Sequence, residues 1–317
     1  MEAWAVDGIG EVSASTDLAA LLCDLDLADG DVVVVTSKII SKAEGRVREA
    51  ERDQVIAEET VRVVARRGPT SIVENHLGLV MAAAGVDASN VAAGSVVLLP
   101  KDPDASARTL REQVYAGTGR NVALVISDTA GRAWRTGQTD LAIGVAGLHP
   151  LEDFAGTTDS YGNPLAVTAP AVADEIAGLA ELVTGKLGAR PVSVVRGLGA
   201  RVLPAGDHGP GARVLLRPRE QDMFALGARE AVLAAVAGSD PDCFGAPAQP
   251  NEMVAALRRC GLEGAVLGAS VVVHLDGEPR DQVAHVERAR LVAHALGWRP
   301  HSDTTPGGTV TLFPPAP

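Results

Sequence analysis

The densest run of reactive side chains in this 317-residue chain is Ser127-Asp-Thr-Ala-Gly-Arg-Ala-Trp-Arg-Thr-Gly-Gln-Thr-Asp140, directly after the apolar run Val122–Ile126. A carboxylate beside a hydroxyl, Asp128 and Thr129, offers hard oxygen ligands of the kind that Mg²⁺ or Mn²⁺ takes. Arg132 and Arg135 offer forked donors for phosphate or carboxylate. The plainer alternative is a capped turn flanked by surface arginines. Two arginines, a tryptophan, a glutamine and two aspartates in one post-strand segment argue for a site.

Two further segments carry matching chemistry. Thr36-Ser-Lys-Ile-Ile-Ser-Lys-Ala-Glu-Gly-Arg46 follows the run Val32–Val35 with three hydroxyls, two lysines and an arginine. Such groups hold phosphates, although a solvated helix start would read the same way. Glu74–Asn90 ends in Asp87-Ala-Ser-Asn90, a common capping pattern. Asp87 is of interest as the second carboxylate that a metal–phosphate site needs.

The elements that must position these residues alternate. Short β-branched runs at 31–36, 95–99, 122–126, 192–195 and 270–273 read as strands buried on both faces. Helical spacing is read at 16–25, 52–67, 104–115, 169–186 (through Val172, Ile176, Leu179 and Leu182) and 220–236. The expected class is α/β. Residues 238–250, with three prolines and two glycines, are the best linker candidate. Beyond it, a helix (252–259), a strand (269–275), a helix (281–296) and a strand (309–313) are expected to form a small C-terminal α/β unit. The expected organisation is therefore 1–237, a linker at 238–250, and 251–317.

A net charge of −12 argues against nucleic acid or an anionic membrane as partner. Aromatic residues are only 3 %, so the core must be aliphatic. Three cysteines without a C-x-x-C pair suit a reducing cytoplasm and give no zinc site. No signal peptide or membrane span is read, and the expected location is cytoplasmic. Gly185-Lys186 lacks Walker A spacing, and Gly197-Leu-Gly199 has Val202 where the dinucleotide fingerprint needs glycine. There is no H-E-x-x-H, and His285 and His294 are expected to be structural.

Taken together, Thr36–Gly45, Gly85–Asn90 and Ser127–Asp140 resemble the coenzyme F420-0:L-glutamate ligase family, in particular the N-terminal ligase domain of its actinobacterial bifunctional form. Asp159–Asn163, Val172–Ile176 and Pro191–Gly197 extend the resemblance over roughly residues 5 to 235. It implies a mixed-sheet α/β ligase domain forming an intertwined homodimer. The implied reaction is GTP-dependent addition of L-glutamate to the lactyl carboxylate of F420-0. By motif match, Asp87, Asp128 and Thr129 would hold Mg²⁺ or Mn²⁺, and K⁺ is a further ion that the family admits. Ser37, Lys42 and Asn90 would contact the nucleotide, as would the segment Ile9, Gly10, Glu11 and Val12. That last stretch departs from the family, which usually carries Leu-Pro there. The bifunctional form continues into a flavin-binding domain about twice as long as residues 251–317, so no FMN site is expected.

The reaction so implied passes through an acyl phosphate and needs charge neutralisation rather than a side-chain nucleophile. Arg132 and Arg135 would hold the acceptor carboxylate or the incoming glutamate. Three rivals are a ligase of the same chemistry on another carboxylic acid, a metal-dependent phosphohydrolase, and a non-catalytic deazaflavin- or nucleotide-binding homologue.

Overall fold

The computed structural model describes residues 1–305 and 308–314. The chain divides into two compact units, Met1–Leu216 and Arg217–Pro317. In the first, the strands are β1 (Glu2–Ala5), β2 (Val32–Thr36), β3 (Val47–Glu49), β4 (Thr60–Arg67), β5 (Thr70–Asn75), β6 (Val80–Ala82), β7 (Ser95–Val97), β8 (Ala123–Arg132), β9 (Arg135–Ala146) and β10 (Val192–Arg196). Its helices are α1 (Leu18–Cys23), α2 (Ser37–Ala43), α3 (Arg52–Glu59), α4 (Pro103–Thr118) and α5 (Val172–Thr184).

The central sheet has the order β1-β10-β2-β8-β9 and is mixed. β2 and β8 run parallel, while the other pairings are antiparallel. Strand alternation explains the unbroken valines of β2. Val33 and Val35 join Leu124, Ile126 and Val194 in a core covered by α1 and α4. Val32 and Val34 join Ala123, Val125 and Val195 in a second core under α5. Smaller sheets, β3-β7 and β4-β5-β6, flank this centre.

The second unit holds α6 (Ala228–Ala237), α7 (Pro250–Arg259), β11 (Glu263–Leu267), β12 (Ser270–His274), α8 (Pro279–Ala295), β13 (Arg299–Thr305) and β14 (Thr309–Phe313). Its sheet has the order β11-β12-β14-β13, over a core of Met253, Leu257, Val271, Val273, Trp298 and Leu312. Its division from the first unit precedes the 237/238 boundary read from the sequence. Arg290 reaches from α8 to the Val236 carbonyl at the end of α6 (3.1 Å), so α6 packs with the C-terminal residues. Residues 238–250 are built into this unit too, with Trp298 Nε1 donating to the Ala248 carbonyl at 2.8 Å.

Three further expectations are corrected. Residues 52–67 do not form one helix: α3 ends at Glu59 and the chain turns into β4, where Thr60, Val61, Val63 and Val64 favour a strand. The helix read at 220–236 begins only at Ala228, after Gly227, whose N–H is capped by Glu230 Oε2 at 3.1 Å. Leu182 is 81 % exposed. At about 100° per residue it lies on the far side of α5 from Ile176 and Ala180, which bury instead.

Arg111 on α4 fastens the loop after β10 to the sheet. Its guanidinium is buried and donates to the carbonyls of Val122 (2.7 Å), Leu203 (2.8 Å), Pro204 (3.1 Å) and Asp207 (2.6 Å). Gly147, at φ +78°, lies against it, and a Cβ there would collide with the guanidinium. Arg111→Met keeps the stem but strands these carbonyls, each worth about 1–3 kcal/mol when buried unpaired. The variant is expected to lose at least about 3 kcal/mol of stability in urea unfolding; a loss within error would remove Arg111 from the fold's supports.

Candidate functional site

The site begins where the parallel pair β2/β8 ends. Thr36 pairs with Ser127, so the next residues, Ser37 and Asp128, emerge side by side. Ser37 Oγ donates to Asp128 Oδ1 at 2.7 Å. Ser37, Ser41 and Lys42 are buried, so α2 is a core helix rather than the solvated helix start its composition allows. Ile39 and Ile40 on the same helix pack into the first core and account for that burial.

Asp87 reaches the same neighbourhood from the turn after β6, where it bridges to Val97. Lys38 Nζ sits 2.6 Å from Asp87 Oδ2 and 2.7 Å from Ser89 Oγ. The Ser89 N–H closes an Asx turn on Asp87 Oδ1 at 2.8 Å. Partial burial works to raise the Asp87 carboxyl, but hydrogen bonds from Lys38 and Ser89 outweigh it and hold it at about 2. Asn90 lies on the exposed end of this turn in a left-handed conformation (φ 56°).

Asp128 responds in the opposite sense. Burial pushes it up to about 6; the Ser37 hydrogen bond opposes this, the charges of Asp140 and Asp87 add to it, and Lys38 offsets part. The cluster is therefore short of positive charge at Asp128, and a carboxylate in that state suits a hard cation. Among the described residues, no three His, Cys, Asp or Glu side chains form a group that could hold a metal. Asp87 and Asp128 would supply two of the oxygens, leaving other positions for substrate oxygens.

Thr129 is not on this face. Consecutive strand residues point to opposite sides, and Thr129 Oγ1 donates to Asp140 Oδ1 at 2.7 Å. Ser127 Oγ donates to Asp140 Oδ2 at 2.9 Å, and Lys186 Nζ donates to Thr129 Oγ1 at 2.7 Å. The sequence reading joined Asp128 and Thr129 in one ligand set; the pleat separates their side chains.

Arg132 and Arg135 are also placed differently from the reading as a post-strand loop. Residues 127–140 continue β8 and β9 as a long antiparallel arm, with Arg132 opposite Arg135 at its exposed tip. Four residues of strand, at about 3.3 Å each, separate Arg132 from Asp128. The arm's turn carries Trp134 at φ 63°, 86 % exposed.

The 9–12 segment is brought to α2. Val12 is buried in the core beside Ile39 and Ile40, Ile9 packs against it, and Glu11 pairs with Lys42 Nζ. Lys42 thus faces residues 9–12, while Lys38 and Ser37 face the carboxylates. The sequence reading gave Lys38, Ser89, Asp140 and Lys186 no role in the site. Lys38 was legible only as one of two lysines one helical turn apart.

These features define an α/β unit with a carboxylate cluster where the pairing of two parallel strands ends. Residues 8–197, more than half of the chain, match F420-0:Gamma-glutamyl ligase, and the chain belongs to that family. It is 40 % identical over 220 residues to the coenzyme F420:L-glutamate ligase of Archaeoglobus fulgidus, covering 62 % of this chain and 88 % of the relative. The corresponding ligase of Methanothermobacter thermautotrophicus is 39 % identical over 246 residues, covering 69 % and 96 %. That of Halobacterium salinarum is 38 % identical over 250 residues, covering 70 % and 94 %. Among the described residues, no helix is long and apolar enough to cross a membrane.

Asp128 gives a pH test independent of activity. Its folded pKa, about 6, lies above the ordinary 3.8. The folded state therefore binds the proton more tightly, and stability falls as pH rises through that window. Asp128→Asn removes the penalty. Thermal unfolding of the metal-free variant is expected to show a gain above pH 6, up to about 3 kcal/mol. The gain should vanish below the ordinary carboxylate range. A variant no more stable than the parent at pH 7.5 would contradict the burial-dominated account.

Proposed function

We propose that this protein ligates L-glutamate to the lactyl carboxylate of coenzyme F420-0 at the expense of GTP. The observation that carries the reading is Asp128, held by Ser37 at the end of the parallel pair, with Asp87 and Lys38 converging on it. Family membership supplies the substrates: the relatives are named for F420 and L-glutamate.

Joining a carboxylate to an amine in water is uphill, so the acid is first activated. The acceptor carboxylate attacks the γ-phosphorus of GTP, releasing GDP and forming an acyl phosphate. The glutamate amine then attacks the acyl carbon, expels inorganic phosphate and loses a proton, leaving the amide. Neither step requires a side-chain nucleophile; both bring anions together. Asp87 and Asp128 would hold Mg²⁺ or Mn²⁺, which when bound neutralises phosphate oxygens. Such ions are commonly held by one or two carboxylates together with substrate phosphates. Lys38 supplies a point charge beside the carboxylates, and Lys42, with residues 9–12, lines the nucleotide side of α2. Asn90 stands beside the Asp87 turn as the further nucleotide contact.

The homodimer belongs to the same reading. The β8–β9 arm carries Arg132, Trp134 and Arg135 beyond the core, where a second copy would be engaged. The arginines would then act on substrate across the dimer rather than within one protomer.

Two measurements test this. Mass spectrometry of a reaction containing F420-0, GTP, Mn²⁺ and L-glutamate is expected to show glutamylated acceptor together with GDP. GDP release without glutamate dependence would favour a phosphohydrolase instead. Lys42→Met, which keeps the buried stem, is expected to lower kcat/KM for GTP by at least about tenfold, or ~1.4 kcal/mol, with little change in KM for glutamate. An unchanged kcat/KM would remove Lys42 from the nucleotide site.

A further inference from the structure

A cleft of about 330 Å³ opens beside the edge strand β9, apart from the Asp87–Asp128 cluster. Leu79, Ile143 and Leu215 give it an apolar floor, and Lys101, Arg108 and Arg213 give it cationic walls. All three cations are exposed, and among the described residues none of their charged heads has a hydrogen-bond or ion-pair partner. Several other basic residues of the first unit are matched, among them Arg196 with Asp31, Arg62 with Glu74 and Arg201 with Glu152. In a chain of net charge −12, three cations against two carboxylates leave the lining of this cleft net positive.

Two aspartates also line the cleft, but their oxygens are turned to the main chain. Asp102 Oδ1 accepts from the Ala105 N–H at 3.0 Å. Asp104 Oδ1 accepts from the N–H groups of Val145 (2.8 Å) and Ala212 (2.7 Å). Asp104 thereby ties the start of α4 and the segment bearing Arg213 to β9, which fixes the walls. The cleft is also close to the chemistry. Ala142 and Ile143, both lining it, directly follow Leu141, the strand partner of Asp128.

We propose that this cleft is the acceptor subsite, taking an organic anion with a broad apolar body against the floor and carboxylate or phosphate groups against Lys101, Arg108 and Arg213. The assignment rests on the glutamate-ligase reading, and it gives the cleft to the acceptor rather than to the amine. Free glutamate is small and polar at both ends and leaves an apolar floor unused. The volume falls in the range of about 300–1,000 Å³ that holds larger organic ligands.

The test is the double variant Arg108→Ala/Arg213→Ala in the full chain; both side chains lie outside the hydrogen-bond network of the fold. Equilibrium dialysis of F420-0 alone is expected to show binding at least tenfold weaker than to the parent. Steady-state kinetics should show KM for F420-0 raised by a similar factor, with kcat and the KM values for GTP and L-glutamate nearly unchanged. Acceptor binding that is unaltered, absent from the parent protein, or a change confined to KM for glutamate would overturn the assignment. Parent protein that binds F420-0 through these arginines yet transfers no glutamate would refute the ligase reading and leave the subsite standing.

Discussion

The hydrogen bond between Ser37 and Asp128 is the constraint on which the site depends. It exists because β2 and β8 are parallel and in register, so that where β2 gives way to α2 its next residue, Ser37, lies level with Asp128 of β8. An antiparallel pair would have sent the two residues to opposite ends. The parallel pair is held by valines and leucines packed on both faces, under α1 and α4 on one side and α5 on the other. The position of the carboxylate cluster is thus a consequence of where the doubly buried strand β2 stops.

Electrostatics then divides the two carboxylates. Asp87 has a lysine and a serine within hydrogen-bond distance and is stable as an anion. Asp128 has one hydroxyl, much burial and two acidic neighbours, and is held as an anion only at a cost. Carboxylates perturbed by burial and like-charged neighbours are concentrated at functional sites. The back of the same strand is built differently: Asp140 takes hydrogen bonds from Ser127 and Thr129, a satisfied network that anchors the root of the arm.

The strands at the centre were legible because their valine runs are too continuous for a one-sided sheet. The chemistry-bearing segments were legible because polar residues cluster directly after those runs. The departures have physical causes. The 127–140 arm reads as a loop because its outer residues are polar and glycine-containing, yet its cross-strand hydrogen bonds are made by the main chain, which sequence polarity does not reveal. Thr129 reads as a partner of Asp128 because adjacency in sequence hides the alternation of the pleat. Residues 238–250 read as a linker because proline and glycine mark irregular backbone, not solvent exposure of a boundary. Lys38 is distinguishable from Lys42 only once Asp87 and Glu11 are placed in space.

The most direct test of the central claim is an anomalous-scattering map from crystals grown with Mn²⁺ and GDP. A manganese peak is expected within coordinating distance of the Asp87 and Asp128 carboxylates, with Ser37 and Lys38 adjacent. A peak on the opposite face at Asp140 and Thr129, with none at Asp128, would contradict it.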